Sequence, residues 1–168
     1  YEQLFMYEAL KRDLIPHKPV LDPTCHDLVV VTDEGCPAIV QVKSITARSY
    51  DNRETKKGSF KYAIKTTCNS DRTMLKDSYV DVLAVFCTRE DTWYIIPCHK
   101  LKGRTIGLYP HIEGSTGGYE SFRPGLPSEL NKFSLRILLL TLSSETVSNK
   151  DMSLGLYPSE YLAKIKFP

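Results

Sequence analysis

An aspartate, a glutamine and a lysine are the residues of this chain best placed to do chemistry together. Asp27 stands in a β-branched, apolar run at 26–32, and Gln41 and Lys43 lie toward the end of a second run at 37–46. Between the runs, Asp33-Glu34-Gly35 is a turn signal, so the two read as an antiparallel hairpin. Gln41 and Lys43 are two apart and therefore face the same side of their strand. The start of the first strand then pairs near the end of the second, which places Asp27 close to both. A carboxylate, an amide and an ammonium at one end of a hairpin suit phosphodiester hydrolysis. That reaction uses a divalent cation to neutralise phosphate and activate water, and hard cations take carboxylate and carbonyl oxygens. A lysine beside them can orient or deprotonate the water and offset charge in the transition state. On spacing alone, a plain ion pair of Asp27 with Lys43 at a sheet edge accounts for the same residues.

The charge distribution adds to this. The net charge of +2 says little, but residues 43–65 hold seven basic side chains against two acidic ones. Such a run is ordinarily a solvated face, and it gains meaning beside a phosphate-handling site. Other candidates are weaker. His26 points away from Asp27 across the strand. His99 and His111 have no metal-ligand spacing with each other or with a cysteine. Trp93 and Tyr94 read as core and sheet-face residues. The glycine-rich stretch 114–118 lacks the lysine of a nucleotide-binding loop.

These residues need a scaffold, and 168 residues with 42% hydrophobic content suffice for one domain with an appendage. Leu4, Tyr7, Leu10 and Leu14 recur at helical spacing over 2–14, and Pro16 stops the pattern. After the hairpin, 47–58 reads as a loop, 59–67 as an alternating strand and 79–88 as a buried central strand. Residues 92–97 are its hairpin partner through a turn at 89–91. Residues 103–127 contain six glycines and three prolines and read as loop, although the tetrapeptide Gly-Leu-Tyr-Pro at 107–110 and again at 155–158 suits the end of a strand. From Ser128 to about Leu142 a helix and a strand are both open. The order gives an α+β pattern with a mixed sheet. Five cysteines with no Cys-x-x-Cys argue against a disulfide framework or a zinc site, and for a reducing, cytoplasmic interior. No segment approaches the roughly 18 apolar residues of a membrane helix, and no signal peptide is visible.

The stretch HDLVVVTDEGCPAIVQVKS, 26–44, resembles the core of the PD-(D/E)XK nuclease superfamily, in which an Asp on one strand is followed by (D/E)-x-K on the next. Gln41 at the (D/E) position resembles a branch that contains group I intron-encoded homing endonucleases and related phage and bacterial nucleases. YVDVLAVFCTREDTWYIIP, 79–97, is similar to that branch's third block, and YESFR, 119–123, to its closing motif. The resemblance covers roughly residues 1–123. It implies an α/β/α restriction-endonuclease-like fold over 1–127, with an N-terminal helix against a central mixed β-sheet. Residues 128–168 would be an extension suited to oligomerisation.

The resemblance further implies a metal-dependent endonuclease acting on double-stranded DNA as a homo-oligomer, either dimer or tetramer. Glu2, on the first helix, matches the family's helix carboxylate, with Glu8 as competitor. Glu2, Asp27 and the Val42 carbonyl would hold Mg2+, or Mn2+ in its place. Lys43 would act on the water, and Gln41 would orient water or phosphate. Arg48, Arg53, Lys56, Lys57 and Lys61 follow the site directly and are the DNA-backbone candidates. Asp81, which opens the buried strand, is a further acid of the branch and more often a structural hydrogen-bonder. Because Gln41 stands where the parent pattern has an acid, a DNA-binding module with a weakened site is an alternative, as is a junction-specific resolvase.

Overall fold

The structure, a computed structural model, describes residues 1–20, 25–31, 35–50, 60–68, 72–112, 115 and 118–123. The expectations for 128–168, including the helix or strand at 128–142 and the second Gly-Leu-Tyr-Pro, lie outside these residues. So do Arg53, Lys56 and Lys57.

Helix α1 spans Glu2–Leu10 and is followed by strands β1 (Ile15–His17), β2 (Leu28–Val31), β3 (Pro37–Ile45), β4 (Ser49–Tyr50), β5 (Phe60–Lys65), β6 (Val82–Cys87), β7 (Thr92–Pro97) and β8 (Thr105–Leu108). A five-stranded mixed sheet has the order β1-β2-β3-β6-β7, and a smaller sheet the order β4-β5-β8. β2 and β3 form the expected antiparallel hairpin, with Leu28 opposite Val40. β3 and β6 are parallel, so the chain between them crosses over, and it builds β4 and β5 on the way. β6 is buried at every residue, as its continuous apolar run requires. The result is an α+β, restriction-endonuclease-like fold.

The main sheet is covered on both faces. Phe5 and Ala9 of α1 pack on Leu28, Val30, Val40, Val42, Ala84, Phe86, Trp93 and Ile95. Tyr62, Ile64, Ile106 and Leu108 of the small sheet pack on Leu83, Val85, Tyr94 and Ile96 opposite. Alternation along β3 therefore sends Val40 and Val42 toward the helix, and Gln41 and Lys43 toward the small sheet.

Several expectations change. The helix ends at Leu10 rather than continuing to residue 14, because Asp13 takes a left-handed conformation (φ 60°) and turns the chain. Leu14 enters the core from beyond the helix, whereas Leu4, Tyr7 and Leu10 remain 37%, 58% and 57% exposed. The buried face is instead the Phe5–Ala9 pair, one turn apart. Pro16, read as a stop, lies inside β1, which the edge of a sheet tolerates because one side of the strand needs no N–H. β4 and β8 fall in stretches read as loop, and the first Gly-Leu-Tyr-Pro does end a strand, β8. Cys25 and Cys68 form a disulfide across 43 residues of sequence. The expectation of none rested on cysteine count and local spacing, and pairing instead follows from the packing of two loops. No helix among the described residues is long and apolar enough to cross a membrane.

Candidate active site

The pairing of β2 with β3 reaches Leu28 opposite Val40, one residue short of Gln41. Asp27 precedes β2 and donates its N–H to the Val40 carbonyl at 2.9 Å, extending the ladder as far as it goes. Val42, two residues further, faces the same side with no strand left to pair. The Asp27 carboxylate fills that place: Oδ2 accepts the Val42 N–H at 2.7 Å and the Gln41 side-chain Nε2 at 2.5 Å. On a strand the N–H and C=O of one residue point the same way, so the Val42 carbonyl opens toward this edge too. Gln41 Nε2 also lies 3.4 Å from it. Gln41 is only 6% exposed, so its amide is a buried polar group satisfied by Asp27.

Lys43 extends from the same face, and its Nζ donates to the Thr67 carbonyl at 3.1 Å. Among the described residues it forms no salt bridge with Asp27, so the plain ion pair allowed by spacing is not what the fold builds. Both groups are instead held in partial burial, each within the other's field. Burial pushes the Asp27 carboxyl up; the Val42 hydrogen bond opposes this, the charge of Glu2 adds to it, and Lys43 and His26 offset part. Burial pushes the Lys43 ammonium down; Asp27 opposes this and Lys65 adds to it. A lysine shifted this way is better suited to exchanging a proton with water than an ordinary surface lysine.

Glu2 comes from the first turn of α1. Its carboxylate pairs with Lys18 at 2.7 Å and is close enough to raise Asp27. Glu8 is occupied elsewhere, bound to the Arg12 guanidinium at 2.7 Å and to Lys11 at 3.4 Å. Burial pushes the Glu8 carboxyl up, but Arg12 and Lys11 outweigh it and hold it below its ordinary value. Of the two helix carboxylates, Glu2 is the one whose charge acts on Asp27.

Glu2, Asp27 and the Val42 carbonyl are all hard oxygen donors, and a cation between them would offset the repulsion that Glu2 exerts on Asp27. Among the described residues no three His, Cys, Asp or Glu side chains gather in metal-binding geometry. With so few protein donors, a cation held here would keep waters among its ligands.

The remaining candidates separate clearly. Arg48 donates from Nε to the Tyr62 hydroxyl at 3.1 Å, and a second nitrogen pairs with Glu90. Its charge is thus matched inside the protein. Lys61 lies on β5, with its stem over Gly107. Asp81 accepts the Ile39 N–H at 2.9 Å and clamps the start of β6 to β3. His26 meets the Tyr79 hydroxyl at 3.2 Å. Sequence reasoning missed Thr67 and Lys18. A backbone carbonyl that holds Lys43 leaves no trace in residue type, and Lys18 is a single lysine outside the basic run.

The sequence matches the family model for PD-(D/E)XK endonuclease over residues 1–112. No curated protein sequence matches the chain. A bacterial homing endonuclease of known structure superposes with a TM-score of 0.58 at 19% identity, covering 88% of this chain and 91% of its own. A Holliday junction resolvase from the archaeal hyperthermophile Archaeoglobus fulgidus gives 0.46 at 11% identity, covering 72% and 90%. With two-thirds of its length matched and the Asp27, Gln41 and Lys43 core assembled on adjoining strands, the chain belongs to the PD-(D/E)XK endonuclease family.

Proposed function

We propose that this protein is a divalent-cation-dependent endonuclease that hydrolyses phosphodiester bonds of double-stranded DNA, with Mg2+ as the cation and Mn2+ as substitute. The observation that carries the reading is the gathering of Asp27, Gln41 and Lys43 where β2 begins, with the charge of Glu2 acting on Asp27. Glu2, Asp27 and the Val42 carbonyl would hold the cation, which when bound supplies charge neutralisation and a more acidic water. Lys43, steadied by the Thr67 carbonyl, would orient the attacking water, exchange a proton with it and offset charge building on the phosphate. Gln41 fixes the Asp27 carboxylate and leaves its amide oxygen to orient water or phosphate. Two copies of the chain would supply the second site needed to cut both strands.

Incubation of supercoiled plasmid with the protein and Mg2+ tests this. The wild type is expected to nick and linearise it, and Asp27→Ala and Lys43→Ala to lose that activity. Equal nicking by all three proteins, or none by any, overturns the assignment. Gln41 also supports a second reading. The neutral amide satisfies Asp27 without a cation, as a DNA-binding module with a weakened site would require. Duplex binding by the wild type without Mg2+-dependent cleavage is its signature.

A further inference from the structure

Beside Lys43 lies a depression of about 360 Å³ walled by Lys65, Thr67, Cys68, Arg72, Arg104 and Thr105. The fold brings its three cations together from separate places. Lys65 ends β5 opposite Thr105 of β8, and the Thr66 N–H donates to the Arg104 carbonyl at 3.0 Å, so Lys65 and Arg104 sit at one end of the small sheet. Arg72 is fixed by a left-handed backbone (φ 60°) and by the neighbouring bond from the Cys68 N–H to the Thr73 carbonyl at 2.8 Å. No acidic side chain lines the depression. Among the described residues none of the three cations is paired with a carboxylate, in contrast to Arg48, Arg12 and Lys18. Three cations around one depression without a counter-charge make a local positive field that attracts an anion. Thr67 links the depression to the active site, because it forms part of the wall and its carbonyl accepts a hydrogen bond from Lys43.

We propose that Lys65, Arg72 and Arg104 form a phosphate-binding pocket for the backbone of the DNA strand held at Lys43. This rests on the endonuclease reading above and gives that site a second, independent set of substrate contacts. Phosphates follow one another about 3.4 Å apart along the axis of one strand, so a strand that meets Lys43 carries its neighbouring phosphates over the pocket. The two guanidiniums offer forked donors to phosphate oxygens and Lys65 a point charge. The wall reads no base edge, so the pocket contributes affinity and register but no sequence preference.

Fluorescence anisotropy with a labelled duplex in EDTA, across a potassium chloride series, tests the pocket apart from catalysis. Lys65→Gln, Arg72→Gln and Arg104→Gln are each expected to lower the slope of log affinity against log salt by up to about one. The triple variant is expected to bind about tenfold more weakly or worse at low salt. All three side chains are exposed, and far-ultraviolet circular dichroism verifies that the variants fold. A triple variant with wild-type affinity and slope overturns the proposal. So does calorimetric binding of inorganic phosphate that the triple variant loses while it keeps the duplex, because the pocket then serves a free anion. The plasmid assay separates this failure from failure of the parent reading. Nicking by the wild type alongside unchanged duplex binding by the triple variant removes the pocket alone. A wild type that neither binds nor nicks DNA removes both.

Discussion

Asp27 and Lys43 are held against their own stability. A carboxyl whose folded pKa lies above its ordinary 3.8 takes up a proton more readily when folded. Stability therefore declines as pH rises from that value through the folded pKa, above which the whole cost is present. For a lysine held below 10.5 the cost is complete below the folded pKa, and it is relieved as pH rises through the folded pKa toward 10.5. Asp27→Asn keeps an acceptor for the Val42 N–H and removes the charge. In metal-free protein at neutral pH it is expected to melt at a higher temperature than the wild type. Mg2+ should then raise the melting temperature of the wild type, by about 1.4 kcal/mol in stability at ten times Kd, and leave Asp27→Asn unmoved. Thermal melts in EDTA and in Mg2+ measure both effects. A wild type unaffected by Mg2+ would count against Asp27 as a cation ligand. Gln41→Glu tests the neighbouring residue. It replaces the buried amide donor with a second carboxylate against Asp27 Oδ2. It is expected to cost about 1–3 kcal/mol without metal and to bind Mg2+ more tightly than the wild type, as calorimetric titration would read.

At the scale of elements, α1 shows what the sequence makes legible and what it conceals. The helix itself is plain from its spacing, but two faces compete. The larger aliphatic one, through Leu4, Tyr7 and Leu10, is the one left outside. Phe5 and Ala9 win because a small residue lets the helix approach the sheet, while Phe5 meets Trp93 edge-on at 5.4 Å. Phe5→Ala is accordingly expected to cost about 3–5 kcal/mol, and Leu10→Ala no more than about 0.5 kcal/mol, measured by urea unfolding. The reverse order would put the other face inward. The site was legible for a related reason. Asp27, Gln41 and Lys43 lie on one hairpin, and hairpin register follows from the turn and the alternation. The pocket cations, the Thr67 carbonyl and the Cys25–Cys68 bridge were not, because each joins segments whose contact depends on the crossover between β3 and β6. That bridge ties the approach to Asp27 to the segment that carries Thr67. Closing a loop of 43 residues is worth up to about 4 kcal/mol in the chain-entropy account. Reductant is expected to lower the wild-type melting temperature and to leave Cys25→Ser/Cys68→Ser unchanged.

At the scale of the whole molecule, two sheets from distant parts of the chain must be held face to face, and apolar packing alone does not fix their relative position. Glu120, in the closing segment 119–123, supplies a directional link. Its carboxylate accepts the Tyr94 hydroxyl at 3.0 and 2.9 Å from β7 of the main sheet. It also accepts the Tyr109 N–H at 3.2 Å, directly after β8 of the small one. Tyr94 is fully buried, and burial first, then the Glu120 hydrogen bond and charge, push its phenol far above the ordinary range, so it stays a donor at any working pH. Arg123 returns from the same segment to the Pro110 carbonyl at 3.2 Å. The segment thus closes the sandwich at the end of β8, which gives physical content to a motif that stood out in the sequence only by resemblance. Glu120→Ala strands a buried hydroxyl and a backbone N–H together. At about 1–3 kcal/mol for each unsatisfied group, it is expected to lower stability by roughly 2–5 kcal/mol in urea unfolding. Tyr94→Phe removes the donor with the acceptor still partly satisfied by Tyr109, and it should cost less, about 1 kcal/mol. In a double-mutant cycle the two losses should fall short of additive, because both remove the same bond. Strict additivity would mean that Glu120 stabilises the chain without joining its two sheets.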